Sequence, residues 1–415
     1  MMADVSVLNV ELYGEIVGTL TRVAGDRSLF AFNEEYIENS DRLTLGLFFK
    51  DEFGELRTEF KPVQKQVMPF FSNLLPEGHL RKYLAEQAGI NTEREFFLLW
   101  ALGRDLPGAI TIKPADGEIW PPEAAHVERE DGPKSKENML RFSLAGVQLK
   151  FSAIESASGG LTIPASGIGG DWIVKLPSRE YMGVPENEFS MMRLASKIGM
   201  DVPRIDLIDI ESIANLPDGT DRFGTKAFVI ERFDRHPSGA RVHIEDFAQV
   251  FGVYGEDKYK KASMRNIAAV IAAEGSDEDV REFIRRLTFN TLIGNGDMHL
   301  KNWSLIYPDR RNAALSPAYD FVSTVPYIKG DSFALNYSRV RDFTAFDEDE
   351  ISHLAAKAAL PEKMVLDVAR ETASDFALLW KREKDALPMF DDVRVAIDAL
   401  LQTLPLMTNY AALLK

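Results

Sequence analysis

The stretch GNGDMHLKNWSLIY at 294–307 decides how this chain is read. An amphipathic helix runs up to it, with Val280, Phe283, Ile284, Leu287 and Leu292 at helical spacing between Ser276 and Ile293, and stops at Gly294. A polar loop follows, and WSLIY resumes as a strand. Within the loop four residues separate Asp297 from Asn302, and His299 and Lys301 lie between them. Taken one at a time, Asp, Asn and Gly after a helix are ordinary turn formers. Together they place a carboxylate, a carboxamide and two basic side chains on one loop braced by a helix and a strand.

That set suits phosphoryl transfer. Protein kinases space a proton-accepting aspartate and a magnesium-binding asparagine in the same way. Asp297 takes the first role and Asn302 the second, with His299 and Lys301 near phosphate oxygens. Beyond the strand, PDRRNAA at 308–314 reads as a turn. ALSPAYD at 314–320 then brings the chain back, so that Asp320 returns toward Asn302 as a second magnesium ligand. Two hard oxygen ligands from protein, with phosphates and water completing the shell, suit Mg2+. ATP also needs a strand lysine. In WIVKLP at 172–177, Lys175 interrupts an apolar strand, and a helix carrying Glu186, Asn187 and Glu188 follows. Glu188 is preferred over Glu186 as the carboxylate that orients this lysine. The loop SLAGVQLK at 143–150 sits where a phosphate loop would, although its only glycine is Gly146. VIERFDR at 229–235 suits a hinge, with backbone groups of Glu231, Arg232 and Phe233 facing the adenine edge.

Working outward, 415 residues are enough for two or three cores. Val5–Leu20 alternates as a hairpin turning at Tyr13-Gly14-Glu15, and extended stretches are expected near Leu29–Phe32 and Leu43–Phe49. Thr92 and Glu95 have capping-box spacing ahead of a helix. This α+β unit spans 1–113, and a Pro-, Gly- and charge-rich linker or surface loop covers 114–138. A strand-rich small lobe at 139–240 and a mostly helical large lobe at 241–415 complete a bilobal, kinase-like α+β fold. The net charge of −16 argues against a general basic surface for nucleic acid, yet leaves room for an enzyme that neutralises ATP locally. With no cysteine, structural disulfides, cysteine-ligated zinc and a cysteine nucleophile are excluded. MMADVSVLNVELYG lacks the pattern of a signal peptide and no apolar run reaches membrane-spanning length, so the expectation is a cytoplasmic protein without a membrane partner.

In their order along the chain, SLAGVQLK (143–150), WIVKLP (172–177), NEF (187–189), ERFDR (231–235), GNGDMHLKN (294–302) and SPAYD (316–320) resemble the HipA family of serine/threonine kinase toxins. FFSNLLPEG (70–78) and GRDLPGA (103–109) extend the resemblance over most of the chain, and ordinary eukaryotic-type kinases lack both. The resemblance implies an ATP- and magnesium-dependent kinase that acts on a protein, with aminoacyl-tRNA synthetases among the family's targets and growth arrest or persistence as the outcome. It also implies a HipB-like helix-turn-helix antitoxin, which would carry the toxin to DNA and supply the basic surface missing here. By position, Asp297 resembles the family's proton acceptor, Asn302 and Asp320 its magnesium ligands, and Lys175 its ATP lysine. Ala145, Gly146, Val147, Gln148, Leu149 and Lys150 resemble its nucleotide loop, Glu231–Phe233 its hinge, and Tyr319 falls within the matched SPAYD as a nucleotide-side residue. Ser143 resembles a serine that family members phosphorylate on themselves, where an added dianion beside the phosphate site would oppose ATP.

His299 replaces the lysine that ordinary kinases carry two residues after the catalytic aspartate, Val322 replaces the glycine of Asp-Phe-Gly, and no Ala-Pro-Glu segment is found. Two other readings compete. GDMH at 296–299 also resembles the motif of small-molecule kinases of the aminoglycoside or choline type. A catalytically silent co-repressor partner of a DNA-binding regulator would keep the fold without the chemistry.

Overall fold

The computed structural model describes residues 6–117, 150–155, 161–162, 170–216, 223–236 and 238–414. Val7–Leu12 (β1) and Glu15–Val23 (β2) form the amino-terminal hairpin. Both turn residues, Tyr13 and Gly14, lie at positive φ (54° and 86°), the primed geometry that follows the strand twist. Arg27–Phe32 (β3), Val63–Gln64 (β4) and Ile110–Pro114 (β5) complete a sheet of order β4-β3-β2-β1-β5. Its core is rich in phenylalanine, with Phe30, Phe49, Phe70 and Phe71 all buried. Phe49 meets Phe70 nearly edge-on at 4.8 Å between ring centroids.

Two local expectations fail here for tertiary reasons. Leu43–Phe49 is irregular and ends in a 3-10 turn at Leu47–Phe49. The Thr44 amide donates to the Arg310 carbonyl (3.1 Å) and the Leu47 amide to Glu245 (2.8 Å), which pulls the segment away from the sheet and onto the large lobe. Helix Glu95–Leu102 begins at Arg94 without the Thr92–Glu95 capping box. Glu95 is buried instead, accepting from the Val67 amide and the Ser72 hydroxyl and pairing with Arg81 at 2.9 Å.

The small lobe contains Lys150–Glu155 (β6), Leu161–Thr162 (β7), Trp172–Lys175 (β8), Ile205–Asp209 (β9), Ile213–Ala214 (β10) and Lys226–Glu231 (β11) in the order β10-β7-β6-β8-β11-β9. Helix Val184–Lys197 packs on β9 and β11. In the large lobe, helix Asp277–Leu292 starts with a Ser276–Asp279 capping box and packs along helix Glu362–Glu383. His243–Asp246 (β12), Ser304–Tyr307 (β13) and Ala314–Leu315 (β14) form a small antiparallel sheet, and the β13–β14 hairpin carries the chain back to Asp320. Among the described residues no helix is long and apolar enough to cross a membrane.

Buried polar contacts fasten the amino-terminal subdomain to the other two lobes. GRDLPGA meets ERFDR: Asp105 pairs with Arg235 at 3.1 Å, and the Gly108 amide donates to Asp234 at 2.8 Å. Arg232 grips Asp234 through two nitrogens at 2.9 and 2.8 Å. Gly108 has φ 72°, and a Cβ there would lie 2.8 Å from the Ile244 nitrogen, so the junction requires glycine. Alongside it, fully buried Glu245 accepts from the Leu47 amide and the Tyr307 hydroxyl.

Burial raises the Glu245 carboxyl to about 7, against the lowering pull of Tyr307 and Leu47. Its folded pKa therefore exceeds its unfolded one, and the folded chain binds more protons through this window. The stability contributed by the protonated form is lost as pH rises from about 4.5 to 7. Glu245→Gln has no charge to bury, so its melting temperature relative to the parent is expected to be higher at pH 8 than at pH 5. A pH series of thermal melts reads this, and an equal difference at both pH values contradicts it.

Candidate active site

The site begins with two strand lysines. Lys150 on β6 and Lys175 on β8 stand directly opposite in the register, an arrangement of like charges that is destabilising unless an anion is shared between them. Asp320 is that anion. Lys150 Nζ lies 3.0 Å from one carboxylate oxygen, and Lys175 Nζ donates to the other. Lys175 is buried and also donates to Glu188, itself buried on helix Val184–Lys197. Glu188, not the half-buried Glu186, is the lysine's helix partner. Asp320 adopts φ 59°, a left-handed conformation uncommon outside glycine but more tolerable for Asp than for most residues. Burial alone would raise the Asp320 carboxyl; Lys150 and Lys175 outweigh it and hold it far below the usual carboxylate range. Burial likewise opposes the charge on Lys175, and Asp320 and Glu188 together raise its pKa above the ordinary value.

The loop after helix Asp277–Leu292 is held by its own amides. The Asn295 side chain accepts from the Asp297 amide (3.0 Å) and donates to the Asn290 side chain (2.8 Å) and the Asp320 carbonyl (3.3 Å). It thus ties Asp297 and Asp320 to one helix end. Asn302 donates its amide nitrogen to the Asp297 carbonyl at 2.8 Å, which leaves its side-chain oxygen as a hard donor. The Thr324 hydroxyl accepts from the Gly296 amide at 2.7 Å and donates to Asp331. Asn187 meets both the amide and the carbonyl of Ser323, at 3.1 and 2.8 Å, and so couples the helix of Glu188 to the segment after Asp320. The Asp297 side chain is about half exposed, and its carboxylate accepts from the Tyr259 hydroxyl. Burial and Asp297 raise the Tyr259 pKa, which keeps that hydroxyl a donor. His299 packs edge-on against Tyr259 at 4.9 Å; burial lowers it to about 4, so it is neutral at pH 7.

Residues 142–380 match the HipA-like C-terminal domain and residues 8–113 the HipA N-terminal domain. The chain belongs to the HipA family. Y4dM of Sinorhizobium fredii, whose name proposes a kinase, is 57% identical over 413 residues, covering 99% of this chain and all of that one. The serine/threonine-protein kinase toxin HipA of Shewanella oneidensis is 29% identical over 294 residues, covering 63% and 64% of the two chains. A solved structure of the Shewanella oneidensis toxin–antitoxin system of HipA, HipB and operator DNA superposes with a TM-score of 0.71 at 23% identity, covering 98% of this chain and 97% of that one. This likeness shows the HipA fold. The family and its relatives make this chain kinase-like, with ATP use implied.

Within this HipA-family site, several expected residues stand differently. Lys301 does not join Lys150 and Lys175; it pairs with Glu77 at 2.7 Å and donates to the Asn73 carbonyl at 3.1 Å, both in the amino-terminal subdomain. In the hinge segment the Glu231 amide is taken by the Arg204 carbonyl (2.8 Å) and the Arg232 amide by the Asp171 carbonyl (2.7 Å), so neither N–H is free for an adenine edge. The Arg232 side chain is spent on Asp234. Phe233 packs 5.7 Å from the ring of Tyr319, whose hydroxyl donates to the Lys301 carbonyl at 3.0 Å. Ser143 and 145–149 lie outside the described residues, as does the 118–138 part of the expected linker. Tyr259, Asn295, Asn187 and Thr324 escaped sequence reasoning as site residues. Asn295 lies inside the decisive GNGD, and Asn187 directly precedes Glu188. Tyr259 and Thr324 carry no local signal.

Replacing Lys175 by Met would strand Glu188 without its cation and is expected to cost roughly 3–5 kcal/mol of stability. Adding Glu188→Gln should recover much of that loss in a double-mutant cycle read by denaturant unfolding. Simple additivity of the two losses would show that the side chains are not partners.

Proposed function

We propose that the chain is a HipA-type serine/threonine protein kinase that transfers the γ-phosphate of ATP to a hydroxyl on a protein. The observation that carries this reading is the contact at Asp297: a half-exposed carboxylate already accepts a hydrogen bond from a phenolic hydroxyl, the relation a general base needs with a phosphoacceptor. In this mechanism Asp297 takes the acceptor's proton as its oxygen bonds to the γ-phosphorus and the bond to the β-phosphate oxygen breaks, releasing ADP. Lys175, oriented by Glu188, and Lys150 exchange Asp320 for phosphate oxygens as counterions. The side-chain oxygen of Asn302, and the Asp320 oxygens once the lysines leave them, are the hard donors suited to Mg2+, which would neutralise phosphate charge when bound. Neutral His299 supports the loop by packing and does not supply a positive charge. Phe233 and Tyr319 flank the nucleotide side.

The same reading gives the protein a toxin's role. Its target would be a protein such as an aminoacyl-tRNA synthetase, phosphorylation would arrest growth, and Ser143 would be the site of self-phosphorylation. A HipB-like antitoxin would restrain it and carry it to DNA. A chain of net charge −16 has reason to leave DNA contact to a basic partner, so purified chain alone should not bind operator DNA tightly in a low-salt gel shift.

Transfer of radiolabelled γ-phosphate tests the chemistry. Label should appear on protein seryl or threonyl groups, and Asp297→Asn should slow incorporation by about 10²- to 10⁴-fold. Label found on aminoglycosides or choline, and none on protein, would replace this reading with a small-molecule kinase. Undiminished transfer by the variant would remove Asp297 from the mechanism.

A further inference from the structure

We propose that Glu77, in the amino-terminal subdomain, is a positioning residue for the catalytic loop of the large lobe. The inference rests on the kinase reading above and deepens it.

Glu77 closes the FFSNLLPEG turn immediately before helix Gly78–Ala88, yet its side chain caps nothing there. Its two oxygens reach across the interface instead. One pairs with Lys258 at 2.7 Å and the other with Lys301 at 2.7 Å. The two lysines adjoin two of the residues that contact Asp297. Tyr259, next to Lys258, donates to the Asp297 carboxylate, and Asn302, next to Lys301, donates to the Asp297 carbonyl. The Leu300 amide binds the Lys258 carbonyl at 3.3 Å and closes the bracket between these segments. Asn73, from the same turn, donates to the Val253 carbonyl at 2.7 Å while its own carbonyl accepts from Lys301. The fit is close: a Cβ on Gly255 would lie 2.7 Å from a Glu77 oxygen. Burial would raise the Glu77 carboxyl, but Lys301 and Lys258 hold it at about 2, so it stays charged at any working pH.

None of these contacts touches Lys175, Glu188 or Asp320. That separation distinguishes positioning from general adhesion between domains. Loss of adhesion would weaken nucleotide binding and chemistry together. Loss of positioning leaves Lys150, Lys175 and Asp320 to hold the nucleotide, loosens Asn302 with the loop and displaces Asp297, a displacement to which transfer is steeply sensitive.

The full-length chain is assayed with Mg·ATP and dephosphorylated casein as acceptor. E77Q keeps the size and removes the charge; it is expected to lower kcat by about tenfold or more while KM for ATP stays within about twofold. Glu77→Asp should restore part of the rate. Amide exchange across 296–302, read in the same proteins, should accelerate in E77Q and remain unchanged in β8. An unchanged kcat, a parallel loss of kcat and ATP affinity, or unchanged exchange at 296–302 would each overturn the proposal. A parent protein that transfers no label would refute the kinase reading, and the exchange measurement would still decide whether Glu77 holds the loop.

Discussion

A lysine ammonium removed from water and shared between two carboxylates is the constraint on which the rest of the arrangement depends. Lys175 is buried between Glu188 and Asp320, and a buried charge in this cluster left with no partner would be strongly unfavourable. Three elements must therefore meet: strand β8, helix Val184–Lys197 and the residue that follows the β13–β14 hairpin. Asp320 reaches the meeting point in a left-handed backbone conformation, with Asn295 holding its carbonyl and Asn187 holding the Ser323 backbone three residues on. Such a charged cluster contributes little net stability for the desolvation it demands. Its value lies in specifying one arrangement of the small lobe against the large one, and in offering two cations to an incoming polyanion.

The amino-terminal subdomain adds a second set of constraints. Its two characteristic turns do different work. GRDLPGA grips the segment after β11 through Asp105 and Gly108, while FFSNLLPEG grips the segments around Lys258 and Lys301. Both contacts are polar, directional and largely sheltered, as expected of a junction that fixes geometry more than it buries area. A subdomain joined in this way belongs to the same mechanical unit as the loop bearing Asp297.

Much of this was legible in the sequence wherever the signal is local. The four residues between Asp297 and Asn302, the apolar strand broken by Lys175, and the carboxylate on the next helix each occupy a short window in which residue type and period restrict the structure. The hairpin at Tyr13-Gly14 follows from turn chemistry alone. What could not be read depends on partners far along the chain. Lys301 resembles a phosphate ligand until Glu77, more than two hundred residues earlier, claims it. Glu95 looks like a cap until the Val67 amide, the Ser72 hydroxyl and Arg81 draw it inward. Leu43–Phe49 alternates like a strand, but Glu245 and the Arg310 carbonyl supply stronger partners than a sheet edge would. The hinge sequence places a strand end correctly and cannot reveal that two of its amides are already occupied.

Calorimetric titration of ATP, with magnesium and with a chelator, into the parent chain and Asp320→Asn tests most directly whether the two lysines and Asp320 form the nucleotide site. The parent should bind ATP more tightly with magnesium than without, and Asp320→Asn should lose most of that difference while Lys175 and Glu188 keep the fold. Binding by the parent that is indifferent to magnesium, or a full magnesium effect retained in Asp320→Asn, would contradict the assignment.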